Sequence, residues 1–172
     1  MAEPLIHHPN REKAQSKATK AIVVLLLLVS AGLVLLITVG GWSALQGAQP
    51  FALVYVFLNL LFAYYVSRWN RGLLTVAAAF AVFFGVLALV AAPSWFARDK
   101  AGFADPALDP AMLGLLTFVL VPIQALLVLF CARAFSQRWN VEVEVEVEVD
   151  PDDPHHHEPP VHGADTPTPL GA

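Results

Sequence analysis

The sequence predicts an all-α integral membrane protein: four transmembrane helices in an up-down bundle, both termini cytoplasmic, and a disordered acidic C-terminal tail. Three observations carry this reading. Apolar residues make up 57% of the 172-residue chain and gather into four uncharged runs. Basic residues cluster at alternate run ends. Acidic residues collect after the last run.

A helix needs about 20 apolar residues to cross the hydrocarbon core. Inside lipid only a helix satisfies its backbone groups within one segment. The predicted spans are about 21–41, 49–67, 73–92 and 112–132. The first run is longer than the h-region of a secretory signal and lacks a small-residue cleavage pattern after it, so it reads as an uncleaved helix. Residues 1–20 form a basic juxtamembrane segment, 21–140 the membrane domain and 141–172 the tail.

Charge divides along the same lines. Residues 1–140 hold ten basic and five acidic side chains, net +5, whereas residues 141–172 hold nine acidic ones and no Lys or Arg, net −9. Short loops rich in Lys and Arg stay on the cytoplasmic side. Arg11, Lys13, Lys17, Lys20, Arg68, Arg71, Arg133 and Arg138 fall on one side of the four-span map, and only Arg98 and Lys100 on the other. The eight-to-two bias predicts that both termini are cytoplasmic.

Each run is followed by one tryptophan: Trp42, Trp69, Trp95 and Trp139. Indole joins an apolar body to one donor, which suits the headgroup zone. These four are the predicted interfacial anchors, Trp42 and Trp95 outside, Trp69 and Trp139 inside. "SRWN" at 67–70 and "SQRWN" at 136–140 close the second helix of each hairpin. Two readings are open: duplication of a two-helix unit, or the shared demand for interfacial charge and indole.

Function is narrowed mainly by exclusion. No charged residue lies within the spans, which argues against proton- and ion-coupled transport and against small multidrug transporters with an intramembrane glutamate. Every histidine lies in a terminal segment, so haem ligation within the helices is not expected. The single cysteine, Cys131, excludes an intramolecular disulfide and a CxxC pair. No Ser/His/Asp, Cys/His or paired-carboxylate arrangement is evident, so the chain is expected to be non-enzymatic and to need no cofactor.

Two strongly polar side chains do fall inside spans, Asn59 and Gln124, with Pro122 two residues before the latter. Either amide can serve as interhelical glue or as the polar point of a small-molecule or lipid pocket. Proline should kink the fourth helix there. In the third span Ala77, Ala81, Gly85 and Ala88 share one stripe, which admits a close neighbour. The stripe reads as the packed centre of the bundle or as a dimer face.

The ends carry local signals. Asn10 is a candidate N-cap, with Lys13, Lys17 and Lys20 sharing the helical face that follows and able to rest on anionic lipid. Asp109–Pro110 matches a cap with proline at the first helical position. In the tail, Val141, Val143, Val145, Val147 and Val149 alternate with glutamates, a strand-like pattern open to pairing with a partner's sheet edge or to remaining disordered. His155, His156, His157 and His162 make a weak candidate site for zinc, nickel or copper, with no ordered second shell evident.

The stretches "GGW", "APSWFARDKAGF" and "RWN", spread over residues 40–140, resemble the small multi-pass membrane proteins of high-GC actinobacteria. The resemblance implies a helix bundle in a bacterial plasma membrane and attaches no activity to it. Membrane lipids are the expected surroundings. A protein partner or a homo-oligomer stays open, and the few basic residues speak against nucleic acid. An accessory or scaffolding subunit is the first functional expectation, and a small carrier or lipid-handling protein using the Gln124 region is the second.

Overall fold

The computed structural model describes residues 5–98 and 106–145. These fall into two compact units, the larger being His8–Val141. It opens with the short helix α1 (Pro9–Glu12). Four long helices follow: α2 (Ala14–Gly40), α3 (Gln49–Ser67), α4 (Gly72–Phe96) and α5 (Pro110–Ser136). All four are long and apolar enough to cross a membrane. At 1.5 Å per residue, the 19 residues of α3 extend about 28 Å, close to the thickness of the hydrocarbon core, and the 27 residues of α2 and α5 about 40 Å. The chain is therefore a multi-pass membrane protein by architecture. In the other unit, strands β1 (Leu5–His7) and β2 (Val143–Val145) pair antiparallel, with Ile6 opposite Glu144.

Three helices exceed their predicted spans. α2 begins seven residues before the expected Ala21 and α5 ends four residues after the expected Ala132. Hydropathy marks only the segment that needs lipid, whereas backbone hydrogen bonding continues into the polar flanks. The start of α2 differs from expectation in another way. Pro9 opens α1, and Lys13, with ψ 129°, breaks the helix before α2 resumes. Asn10 is therefore no cap for the long helix, and Lys13 stands outside the face shared by Lys17 and Lys20. Asp109 does cap α5: its Oδ1 accepts from the Ala111 and Met112 amides at 2.8 and 3.2 Å.

Short turns reverse the chain. After α2 comes a single 3-10 turn, Trp42–Ala44, followed by Gln46 and Gly47, both at positive φ. Trp69, at φ 65°, ends α3, and the Asn70 amide donates back to the Tyr65 carbonyl, as in left-handed helix closures. The similar "RWN" after α5 folds differently, its positive φ falling on Arg138. The two tripeptides are alike in composition but not in backbone.

Helix α2 packs against α3 and α5, while α4 lies along α5 and meets α3 only lightly. Ala77, Ala81, Ala88 and Ala92 are buried, so the small stripe faces the interior of the bundle. The expected central role passes to α2 and α5, because α4 is small on one face only. Its other face carries exposed Val82, Phe83, Val86 and Val90. Aromatic rings bridge the α3–α4 seam, with Phe84 5.4 Å from Phe51 and 3.7 Å from Tyr55, centroid to centroid.

Each end of the bundle has its own lock. At one end Trp139 is fully buried and meets Trp69 edge-on at 5.1 Å. The Trp139 indole donates to Gln137 Oε1, and Gln137 Nε2 donates to Thr19 Oγ1. Basic side chains close the helix ends: Lys20 donates to the Ser67 carbonyl and Arg71 to that of Phe135. A cation suits a helix C-terminus, where the unpaired carbonyls concentrate partial negative charge. At the other end, Trp95 is buried with Ile37, Ala44 and Leu113, and Arg98 donates to the Ala44 carbonyl at 2.8 Å.

Gly41 makes this second lock fit. A Cβ there would lie 2.6 Å from the Trp95 ring and 3.0 Å from the Ile37 carbonyl oxygen, and neither a rigid indole nor backbone yields readily. Gly41→Ala is expected to destabilise the bundle by about 1–3 kcal/mol, read by denaturant titration in mixed micelles.

Candidate functional site

Polar groups inside a membrane domain are few, so their placement is the most informative feature of the interior. Ser30 of α2, Tyr55 of α3 and Gln124 of α5 converge, each at most 2% exposed. Gln124 Nε2 donates to Ser30 Oγ at 2.6 Å and to the Tyr55 hydroxyl at 2.8 Å. The two hydroxyls share a third bond of 2.6 Å. Three helices are thus joined by one closed triangle of hydrogen bonds.

Local sequence brings these groups together. Helix α5 continues through Pro122, which withholds the N–H that would meet the Phe118 carbonyl, and Gln124 follows on the buried face with Leu120 and Leu127. Gly85 of α4 provides the space: a Cβ there would stand 3.3 Å from Gln124 Cβ. Asn59 sits one turn beyond Tyr55 and donates Nδ2–H to the Tyr55 carbonyl at 2.9 Å. The two amides singled out in the sequence therefore share a neighbourhood, with Tyr55 between them. Asn59's mapped bond lies within its own helix, whereas Gln124's cross to two others.

The triangle leaves one group unanswered. Both Gln124 N–H donors are used, but its Oε1 is buried and accepts from nothing among the described residues. Turning the amide over would let Oε1 accept from one hydroxyl, the other donating to its fellow hydroxyl, and would strand the N–H pair instead. In either orientation one side of the amide has no partner. A buried acceptor without a donor costs about 1–3 kcal/mol.

Ser30 and Tyr55 were not singled out in the sequence. Ser30 follows "LLLLV" in the most apolar run, and a single hydroxyl in a helix often bonds its own backbone, as Thr38 and Thr117 do here with the carbonyls four residues earlier. The available signal was the four-residue spacing of Tyr55 and Asn59, which puts them on one face.

The predicted anchors lie at the helix ends in different surroundings. Trp42 is half exposed, Trp69 partly buried beneath Lys20, whose Nζ stands 4.0 Å over the ring, and Trp95 and Trp139 are buried. Cys131 is buried in the core beside Ala134 and Trp139. His155, His156, His157 and His162 lie outside the described residues. Among the described residues, no group of three or more His, Cys, Asp or Glu is placed to hold a metal ion.

Comparison with known proteins adds no relative: no family model, no curated protein and no solved structure matches the chain.

A double-mutant cycle measures the triangle. Ser30→Ala and Gln124→Leu are expected to couple by about 0.6–1.7 kcal/mol, the scale of interhelical hydrogen bonds in lipid. The measurement is unfolding free energy in bicelles, and strictly additive effects would contradict the mapped bond.

Proposed function

We propose that this chain is a non-enzymatic accessory or scaffolding subunit of a bacterial plasma membrane, with both termini cytoplasmic. The observation behind this reading is where its polar side chains go. Ser30, Tyr55 and Gln124 bond one another across helices, and Thr38, Asn59 and Thr117 bond their own helices. Polarity used this way rigidifies a bundle and lines no charged path. The broad outer face of α4, large and apolar, is then free for a second membrane protein.

The β1–β2 ribbon supports the same reading. The valine–glutamate segment, strand-like by its alternation, pairs within its described part with Leu5–His7. A two-stranded ribbon this short is marginal alone. Among the described residues its outer edges carry no further strand, which suits addition to the sheet of a soluble partner.

A second reading, a small carrier or lipid-handling protein, is favoured by one observation, the unanswered Oε1 of Gln124. A ligand hydroxyl or N–H reaching it would complete the amide.

Native mass spectrometry of protein extracted gently from its own membranes separates the two. The expected result is a defined mass above the protomer that contains a second polypeptide. A monomer or homodimer retaining one small molecule, lost in Gln124→Leu, would favour the carrier instead. Orientation is tested apart from function: reporters fused at residue 105 and after Trp139 are expected to lie on opposite sides, the latter cytoplasmic.

A further inference from the structure

Between α2 and α5, at the end of the bundle where Lys20, Arg71 and Trp139 form their lock, an open groove of about 690 Å³ runs along the outside of the molecule. Such a volume is in the range of clefts that hold small ligands. Its wall is graded. Ala18 and Ile22 of α2 face Leu129 and Phe130 of α5, and farther toward the helix ends stand Gln15, Arg133 and Ser136. Apolar residues thus line one part and donors the other, along two helices that cross the membrane.

Arg133 is the charged group of this wall. It is exposed, and no hydrogen bond, ion pair or ring contact of its side chain is found among the described residues. Of the other basic residues at this end, Lys20 is engaged with Ser67 and Trp69, Arg71 with Phe135 and Arg11 with the Trp139 carbonyl, while the exposed Arg68 lies outside the groove. Its backbone carbonyl already accepts from the Ser136 hydroxyl, which fixes Ser136 beside it. The guanidinium fork matches two oxygens of a phosphate, and the long arginine stem lets it rest at headgroup level.

We propose that the α2–α5 groove is a binding site for one anionic phospholipid of the leaflet at this end. The phosphate lies on Arg133, the glycerol region beside Gln15 and Ser136, and an acyl chain along Ile22, Leu129 and Phe130. The site is independent of any protein partner. It also gives Arg133 a role distinct from the general attraction of basic residues to an anionic leaflet.

The test uses the full chain in nanodiscs of phosphatidylglycerol and phosphatidylcholine in equal parts, transferred to detergent and examined by native mass spectrometry for retained lipid. Wild-type protein is expected to retain one phosphatidylglycerol. Arg133→Gln should lower that retention about fivefold, the scale of one basic residue at an anionic surface. Arg68→Gln removes the same charge from an exposed position outside the groove and should leave retention unchanged. Ala18→Trp fills the apolar wall and should expel the lipid while Arg133 stays in place. Equal losses in Arg133→Gln and Arg68→Gln would reduce the effect to diffuse attraction and overturn the site. Displacement by soluble glycerol phosphate would overturn the lipid assignment. Retention that rises in wild-type chain cut after Asn140 but not in cut Arg133→Gln would show the acidic tail to be the groove's occupant instead.

Discussion

Helices in lipid gain little by exchanging one apolar surface for another, so this bundle depends on the few contacts that lipid cannot imitate. The hydrogen-bond triangle of Gln124, Ser30 and Tyr55 is the central one. It ties α5 to α2 and α3 at a single point and gives three otherwise greasy cylinders a definite rotation about their axes. Much else follows from that point. Gly85 lets α4 approach the same residue, the alanine stripe carries that approach along α5, and Phe84 closes the seam over Tyr55.

The ends work on a different principle. There, water and headgroups compete for polar groups, and isolated hydrogen bonds are worth less than inside. The structure answers with size and charge. Trp139, fully buried, fills the space beneath α3, and cations from neighbouring helices cover the carbonyls that α3 and α5 leave unpaired. At the opposite end, glycine at position 41 admits Trp95 against backbone. Interior polarity and terminal packing are therefore complementary devices, each used where its surroundings make it effective.

This division bears on function. Nearly all the interior polarity among the described residues is spent on bonds within the bundle. Its surfaces are the more informative part: the apolar flank of α4, the ribbon edges, and the graded groove beside Arg133. They differ in chemistry: the first is apolar, the second presents backbone, and the third sets a cation beside an apolar wall. Among the described residues of the long helices, the exception is the Gln124 carbonyl, which ties a small-ligand reading to a single atom.

The four spans were legible in the sequence because crossing lipid imposes a length and a composition that need no tertiary information. Asn59 and Gln124 stood out for the same reason, as amides where amides are rare, and Asp109–Pro110 announced the start of α5 through local capping chemistry. What these residues bond was not legible. Ser30 lies 94 positions from Gln124, and a hydroxyl alone carries no indication of its partner. Nor does an alternating valine–glutamate run reveal that its mate is Leu5–His7 near the other end of the chain. The small stripe of α4 announced close packing but not its place, because edge and centre differ only in how many sides are occupied. Local composition thus determined which segments are helices and how many span a membrane. Only the tertiary structure decided their neighbours and rotations, since those follow from contacts between residues far apart in the chain.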